Sequence, residues 1–162
     1  MPCLEQQPRW RNAAYDHERH SKLLARKDVM PNHRLEGMRS TMFDSVFISG
    51  GARSIETLRK NGRALHWVRE AFGHLKAIGA TCEAVSFVRD ACQLPGIAFS
   101  NSGEVVDSYG VVTTEKVHPE SFKEVIQMAK GAKDFISVYT FKISQHKNFE
   151  REMKGYSSMV AY

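Results

Sequence analysis

No apolar run in this 162-residue chain approaches the roughly 18 residues of a membrane-crossing helix. The stretch from Met1 to Met30 carries Arg9, Arg11, Arg19, Lys22, Arg26 and Lys27 among polar groups, without the apolar middle of a secretory leader. The chain is therefore expected to be soluble and cytoplasmic, with no membrane partner. Cysteine is scarce. Cys3, Cys82 and Cys92 are an odd number without C-x-x-C spacing, so neither a disulfide framework nor a zinc site is indicated, and a reducing compartment fits. His66, His74, His118 and His146 are dispersed and form no H-x-x-x-H or paired-carboxylate pattern, so no metal is expected. The formal net charge of +5 is spread along the chain rather than gathered in a dense run. No RRM, KH, zinc-finger or helix-turn-helix pattern accompanies it, which reads as a solvated basic surface and not as a nucleic-acid partner.

A further deficit is local. Residues 1–40 hold Pro2, Pro8 and Pro31, and their large apolar residues (Leu4, Trp10, Tyr15, Leu23, Leu24, Val29 and Leu35) neither alternate nor cluster as a buried strand requires. The segment is expected to be mostly disordered or weakly helical, with Asn12 to Lys27 as the one candidate helix. Such a tail is what a truncated or rearranged gene would leave. With 42% apolar and 25% charged residues overall, the remaining residues 41–162 suffice for one domain with a core.

What is present organises around Phe43 to Thr81. The run Phe43-Asp-Ser-Val-Phe-Ile-Ser-Gly-Gly51 is short, apolar and stopped by a glycine pair, the mark of a buried parallel-type strand. Ser54 can cap the helix that follows, and Asn61-Gly62 divides it into a short and a longer part. Leu65, Val68, Ala71, Phe72 and Leu75 recur at intervals of three and four and give one stripe that faces a sheet. Lys76 to Thr81 is a second strand, which completes a β-α-β unit and makes the chain α/β.

The order strand, Thr81-Cys82-Glu83, helix has a chemical meaning. A side chain at such an elbow stands above the strand ends beside helix N–H groups, where an anion is favoured. Carboxyl ends of neighbouring parallel strands share a crevice, so Gly50 and Gly51 should lie beside Cys82, and their lack of side chains admits a bound group. Cys82 is thus a candidate nucleophile, with backbone N–H groups of Gly51 and Glu83 as candidate oxyanion donors and Gly50 and Gly51 as structural residues. Weighed against this is a cysteine that simply packs beside the elbow.

Further on, Ala84, Val85, Phe87, Val88 and Ala91 predict a short helix, with Cys92 as a small buried apolar residue. Ile97 to Phe99 is a candidate third strand, and Val105-Val106 and Val111-Val112 flank a turn at Ser108 to Gly110. A helical region is expected from Pro119 to about His146, interrupted near Gly131, even though Ile136 to Phe141 has strand-like β-branched content.

Hydrophobic strand, Gly-Gly, helix, strand and small-residue elbow resemble the class I glutamine amidotransferase and PfpI-type peptidase superfamily. Four segments are similar more closely to the C-terminal, flavodoxin-like domain of large-subunit catalases, above all the fungal ones. They are Phe43 to Ser54, Ala64 to Ala80, Gly110 to Thr114, and Gln145 to Glu152 with the ending Met159-Val-Ala-Tyr162. The likeness covers about residues 41–162 and none of the first forty. It implies a three-layer parallel sheet whose first β-α-β unit is missing here. It also implies a small residue at the Cys82 position. The superfamily's elbow thiol works with a His that often follows it directly, where this chain has Glu83, or with a carboxylate from the early part of the domain, which belongs to the missing unit. Catalase chemistry in that family belongs to a separate haem-binding core with a distal His, a distal Asn and a proximal Tyr four positions after an Arg. Arg11 and Tyr15 have that spacing alone, without the surrounding motifs or a barrel. Haem is thus expected in the full-length family and no cofactor in this chain.

Two functions stay open. One is a non-catalytic catalase C-terminal domain that serves stability or interaction, its partner a catalase core or a second copy. The other is a thiol-dependent, amidotransferase-like or stress-response hydrolase that uses Cys82.

Overall fold

The computed structural model describes residues 32–92, 94–115 and 134–160. The first strand, β1, is Ser45–Ile48, where Val46 and Ile48 point into the core while Phe47, on the opposite face, is 52% exposed. The expectation of a strand buried on both faces is corrected: alternation along the strand puts Phe47 where described residues cover it only in part.

Gly51 occupies the N-cap position of α1 (Ala52–Arg59), so the helix starts ahead of Ser54 rather than being capped by it. Asn61 separates α1 from α2 (Gly62–Gly73), its side chain accepting the Arg63 N–H at 3.0 Å in an N-cap bond. The expected stripe is in place on α2, with Val68, Ala71 and Phe72 buried together with Leu75 beyond the helix end. The helix stops in a Schellman arrangement. Leu75 N–H donates to Phe72 O and Lys76 N–H to Ala71 O, and Leu75 takes a left-handed φ of 62° where glycine is usual.

From there β2 (Ala77–Thr81) pairs parallel with β1, Val46 opposite Ile78 and Ile48 opposite Ala80. After α3 (Ala84–Ala91), β3 (Val106–Ser108) and β4 (Val111–Thr114) form a hairpin through Tyr109-Gly110, both at positive φ, the turn that matches strand twist in two-residue loops. The sheet order is β1-β2-β4-β3, with β4 parallel to β2 and β3 antiparallel, so the sheet is mixed rather than wholly parallel. Ile97–Phe99 is not a strand. The N–H groups of Ala98 and Ser100 are taken by the side chains of Ser108 (3.0 Å) and Thr113 (2.9 Å) instead of a backbone ladder.

Helices α1, α2 and α3 cover one face of the sheet over the main apolar cluster. On the other face the helical residues 134–144, α4, set Tyr139 against Phe47 and Gly79, and Phe135 against Phe47. The result is three layers. Helix won over strand at Ile136 to Phe141 because its stripe meets the sheet. The expected helix from Pro119 and its break at Gly131 lie outside the described residues, as do residues 1–31.

Residues 33–43 do not behave as a tail. Ser40 is fully buried, with its N–H and hydroxyl both donating to Glu70 Oε2 (3.0 and 2.7 Å). Trp67 Nε1–H donates to Met38 O at 2.9 Å, and Phe43 packs on the Trp67 ring. The tail boundary at residue 40 is thus corrected: these polar contacts, together with the packing of Leu35 and Phe43, hold this stretch on the domain.

Candidate functional site

Parallel pairing of β1 with β2 brings their carboxyl ends together, as the sequence required. A Cβ added to Gly50 would stand 2.6 Å from Cys82 Cβ and 3.0 Å from Glu83 Oε2, so no other residue fits there without displacing the elbow. Gly50 N–H donates to Thr81 Oγ1 at 3.2 Å. Cys82 itself is half-buried and left-handed, φ 52°, between the end of β2 and the start of α3. Its N–H continues the sheet by donating to Thr114 O (2.8 Å), and its carbonyl accepts from Val85 at the helix start (3.1 Å). A non-glycine residue in this region costs about 1 kcal/mol or more, offset here by these bonds.

The oxyanion donor expected at Gly51 is engaged. Its N–H donates to Glu83 Oε2 at 2.9 Å, so the carboxylate that follows the thiol folds back over the glycine pair and fills the anion position from within. A second negative charge arriving at that amide would meet a like charge. Glu83 stands at the N-cap of α3 in αR backbone, and Ser86 Oγ–H donates to its carbonyl (2.7 Å). Next to this, Arg59 bonds Asp90 and Ser86.

Cys92 is where the sequence put it, fully buried, and burial pushes its thiol up to about 12 against the opposing pull of Arg151 and Arg69. Among the described residues no group of three His, Cys, Asp or Glu is arranged to hold a metal. His66, His74 and His146 are exposed, and His118 lies outside the described residues. No helix among the described residues is long and apolar enough to cross a membrane.

Two basic residues assigned to a solvated surface are internal. Lys142 is 8% exposed and pairs with Asp107 at 3.0 Å. Arg151, on α5 (Glu150–Met153), has no exposed surface. Its Nε–H donates to Tyr109 O (2.6 Å) and Nη1–H to Phe72 O (3.0 Å), and its guanidinium lies over the Phe72 ring at 4.4 Å. Burial pulls its pKa down to about 10. Asn148 donates through its N–H and Nδ2–H to Leu75 O (2.9 and 3.2 Å) and crowds Gly110, where any Cβ would overlap its amide. No periodicity announces these residues. Their one signal was membership of the Gln145 to Glu152 segment.

Compared with known proteins, residues 27–135 match the C-terminal domain found in long catalases. That match takes in residues 27–40, so the likeness reaches further toward the N-terminus than about residue 41. Catalase-1 of Neurospora crassa is 58% identical over 134 residues, 83% of this chain and 18% of its own length. Catalase A of Aspergillus fumigatus is 49% identical over 142 residues, 84% of this chain and again 18% of its own. The chain thus spans less than a fifth of these relatives. Among solved structures, Drosophila melanogaster DJ-1beta superimposes with a TM-score of 0.51 at 16% identity, over 83% of this chain and 73% of that one, a likeness of fold.

Proposed function

Because the chain belongs to the family of C-terminal domains found in long catalases, we propose that it works as a stabilising and docking module for a peroxide-consuming catalase core and runs no reaction of its own. The Glu83 carboxylate on Gly51 N–H carries this reading, since it leaves the elbow's anion position occupied by the chain itself. Haem has no fitting ligand in the groove beside α3. The groove beside α3 is lined by Arg89, Leu94, Pro95, Ile97, Phe99 and Asn101, with none of the His, Cys, Met or Tyr side chains that hold haem iron. Peroxide removal by haem then belongs to the partner core. In this reading the packed domain runs from about Leu35 and meets the core, or a second copy, at the β1 side. The absence of a disulfide at Cys82 and Cys92, among the described residues, suits a cytoplasmic setting.

The test adds the purified chain to a catalase core that lacks its own C-terminal domain and follows co-elution and heat inactivation. Co-elution with a raised inactivation temperature is expected, and neither occurring would overturn the reading. The chain alone should neither keep a Soret band after desalting with haem nor evolve oxygen from peroxide.

The left-handed φ of Cys82 favours a second reading, a thiol-dependent hydrolase. Ester or amide hydrolysis by the chain that vanishes in Cys82→Ala would establish it, and its absence removes it.

A further inference from the structure

The groove along α3 and the segment after it has a volume of about 490 Å³, within the roughly 300–1,000 Å³ of small-molecule clefts. Its walls combine four apolar side chains, Leu94, Pro95, Ile97 and Phe99, with one cation, Arg89, and one amide, Asn101. The cation is held in place by neutral groups. Its guanidinium carbon lies 5.5 Å from the Phe99 ring centroid, and Nη2–H donates to Asn101 Oδ1 at 2.9 Å. No carboxylate pairs with it among the described residues, whereas Arg59, on the facing helix, has Asp90, and Lys142 has Asp107.

The groups that hold Arg89 are themselves fixed. Ala98 and Ser100 N–H groups are anchored to Ser108 and Thr113, and the hydroxyl of the fully buried Ser100 lies 2.8 Å from the carbonyl oxygens of both Ser102 and Glu104, which share its one proton. Phe99 and Asn101 therefore project from a braced strip of chain, and the guanidinium is presented without further ordering. A planar fork with free N–H donors is matched by a carboxylate. A single cation balances the one charge of a carboxylate, whereas a phosphate monoester carries nearly two. The apolar walls beside the fork suit a hydrocarbon or aromatic body.

We propose that this groove binds a small monocarboxylate with an aromatic or branched-aliphatic body, its carboxylate on Arg89 and its body on Leu94, Ile97 and Phe99. The site lies toward the far end of α3 from the Cys82 elbow and does not depend on the catalase-module reading.

The experiment is a ¹⁵N-edited NMR titration of the full chain with 4-phenylbutyrate, beside the matched alcohol 4-phenylbutanol. Saturable shifts are expected at Ile97, Phe99, Asn101 and the Arg89 side-chain N–H, with the alcohol at least about tenfold weaker. Arg89→Gln should weaken the acid to the level of the alcohol while leaving signals outside the groove in place. Asn101→Ala, which frees the guanidinium from its brace, should weaken it less. No saturation up to about 10 mM, equal binding of acid and alcohol, shifts centred elsewhere, or unchanged binding in Arg89→Gln would each overturn the proposal.

Discussion

Both ends of β2 hold side chains in left-handed backbone, and they differ in what keeps them there. At the carboxyl end Cys82 (φ 52°) is half-buried, beside Gly50 and Thr114 at the ends of adjoining strands. At the amino end Leu75 (φ 62°), Tyr109 (φ 53°) and Gly110 (φ 76°) are gripped by Asn148 and Arg151 from a distant part of the chain, in a buried setting. The more heavily constrained group presents no reactive side chain to solvent. A strained backbone at a strand end is therefore not in itself a mark of chemistry in this molecule. At one end it builds an elbow, at the other it lets three segments close on each other.

The sharpest way to break this contrast is Arg151→Ala. It leaves the Tyr109 carbonyl without the Arg151 donor, takes one of the donors from the Phe72 carbonyl that Leu75 N–H also reaches, and opens a hole in a closed region, for an expected loss of about 3–5 kcal/mol in urea unfolding. A loss under about 1 kcal/mol would mean that the amino end is no more demanding than the elbow.

Next in size is a paired substitution. Leu75→Gly relaxes the backbone but gives up a buried side chain, with a net destabilisation of about 2 kcal/mol. Cys82→Gly relaxes the same kind of backbone and loses only a half-buried thiol, so stability should hold or rise by up to about 1 kcal/mol. Shifts of the same sign in the two denaturation midpoints would remove the distinction.

A smaller effect follows from Cys92. Its folded pKa is raised from 9.0 to about 12, so the folded state holds the proton that the unfolded state releases. The stability is present in full below pH 9.0 and drains away as pH rises toward 12. Between about pH 8 and 10 the wild type should lose ~1 kcal/mol more than Cys92→Ala does.

The least effect on stability, and the clearest readout of the elbow, is labelling. Iodoacetamide on the native chain should modify Cys82 well ahead of Cys92, which is fully buried. Glu83→Ala should quicken Cys82 labelling further, because a carboxylate then no longer stands beside the attacking thiolate. Faster labelling of Cys92 would mean that the elbow is the more closed of the two ends.

How much of this was legible followed the range of the interaction. Strand β1, the Asn61 cap, the stripe on α2, strand β2 and the elbow rest on neighbours within one β-α-β unit, and their residues say so. That Gly51 would be occupied by Glu83 was not legible, because it depends on a side-chain rotamer across two strand ends. Ile97–Phe99 looked like a strand from composition alone, yet the side chains of Ser108 and Thr113 took its N–H groups. Arg151 and Ser40 were read as surface and tail because their partners stand 79 and 30 residues away, beyond the reach of any periodicity.

That separation has a kinetic side. Bringing Asn148 to Leu75, 73 residues back, closes a long loop whose entropy must be met before any bond is gained. The β-α-β unit has its own local contacts, so the amino-end closure is expected late in folding, after the rate-limiting barrier, with Arg151→Ala speeding unfolding and leaving the folding rate nearly unchanged. Interactions made there act on escape rather than arrival. Arg151 and Asn148 thus set how long the folded domain survives once formed, and have little say in how fast it forms.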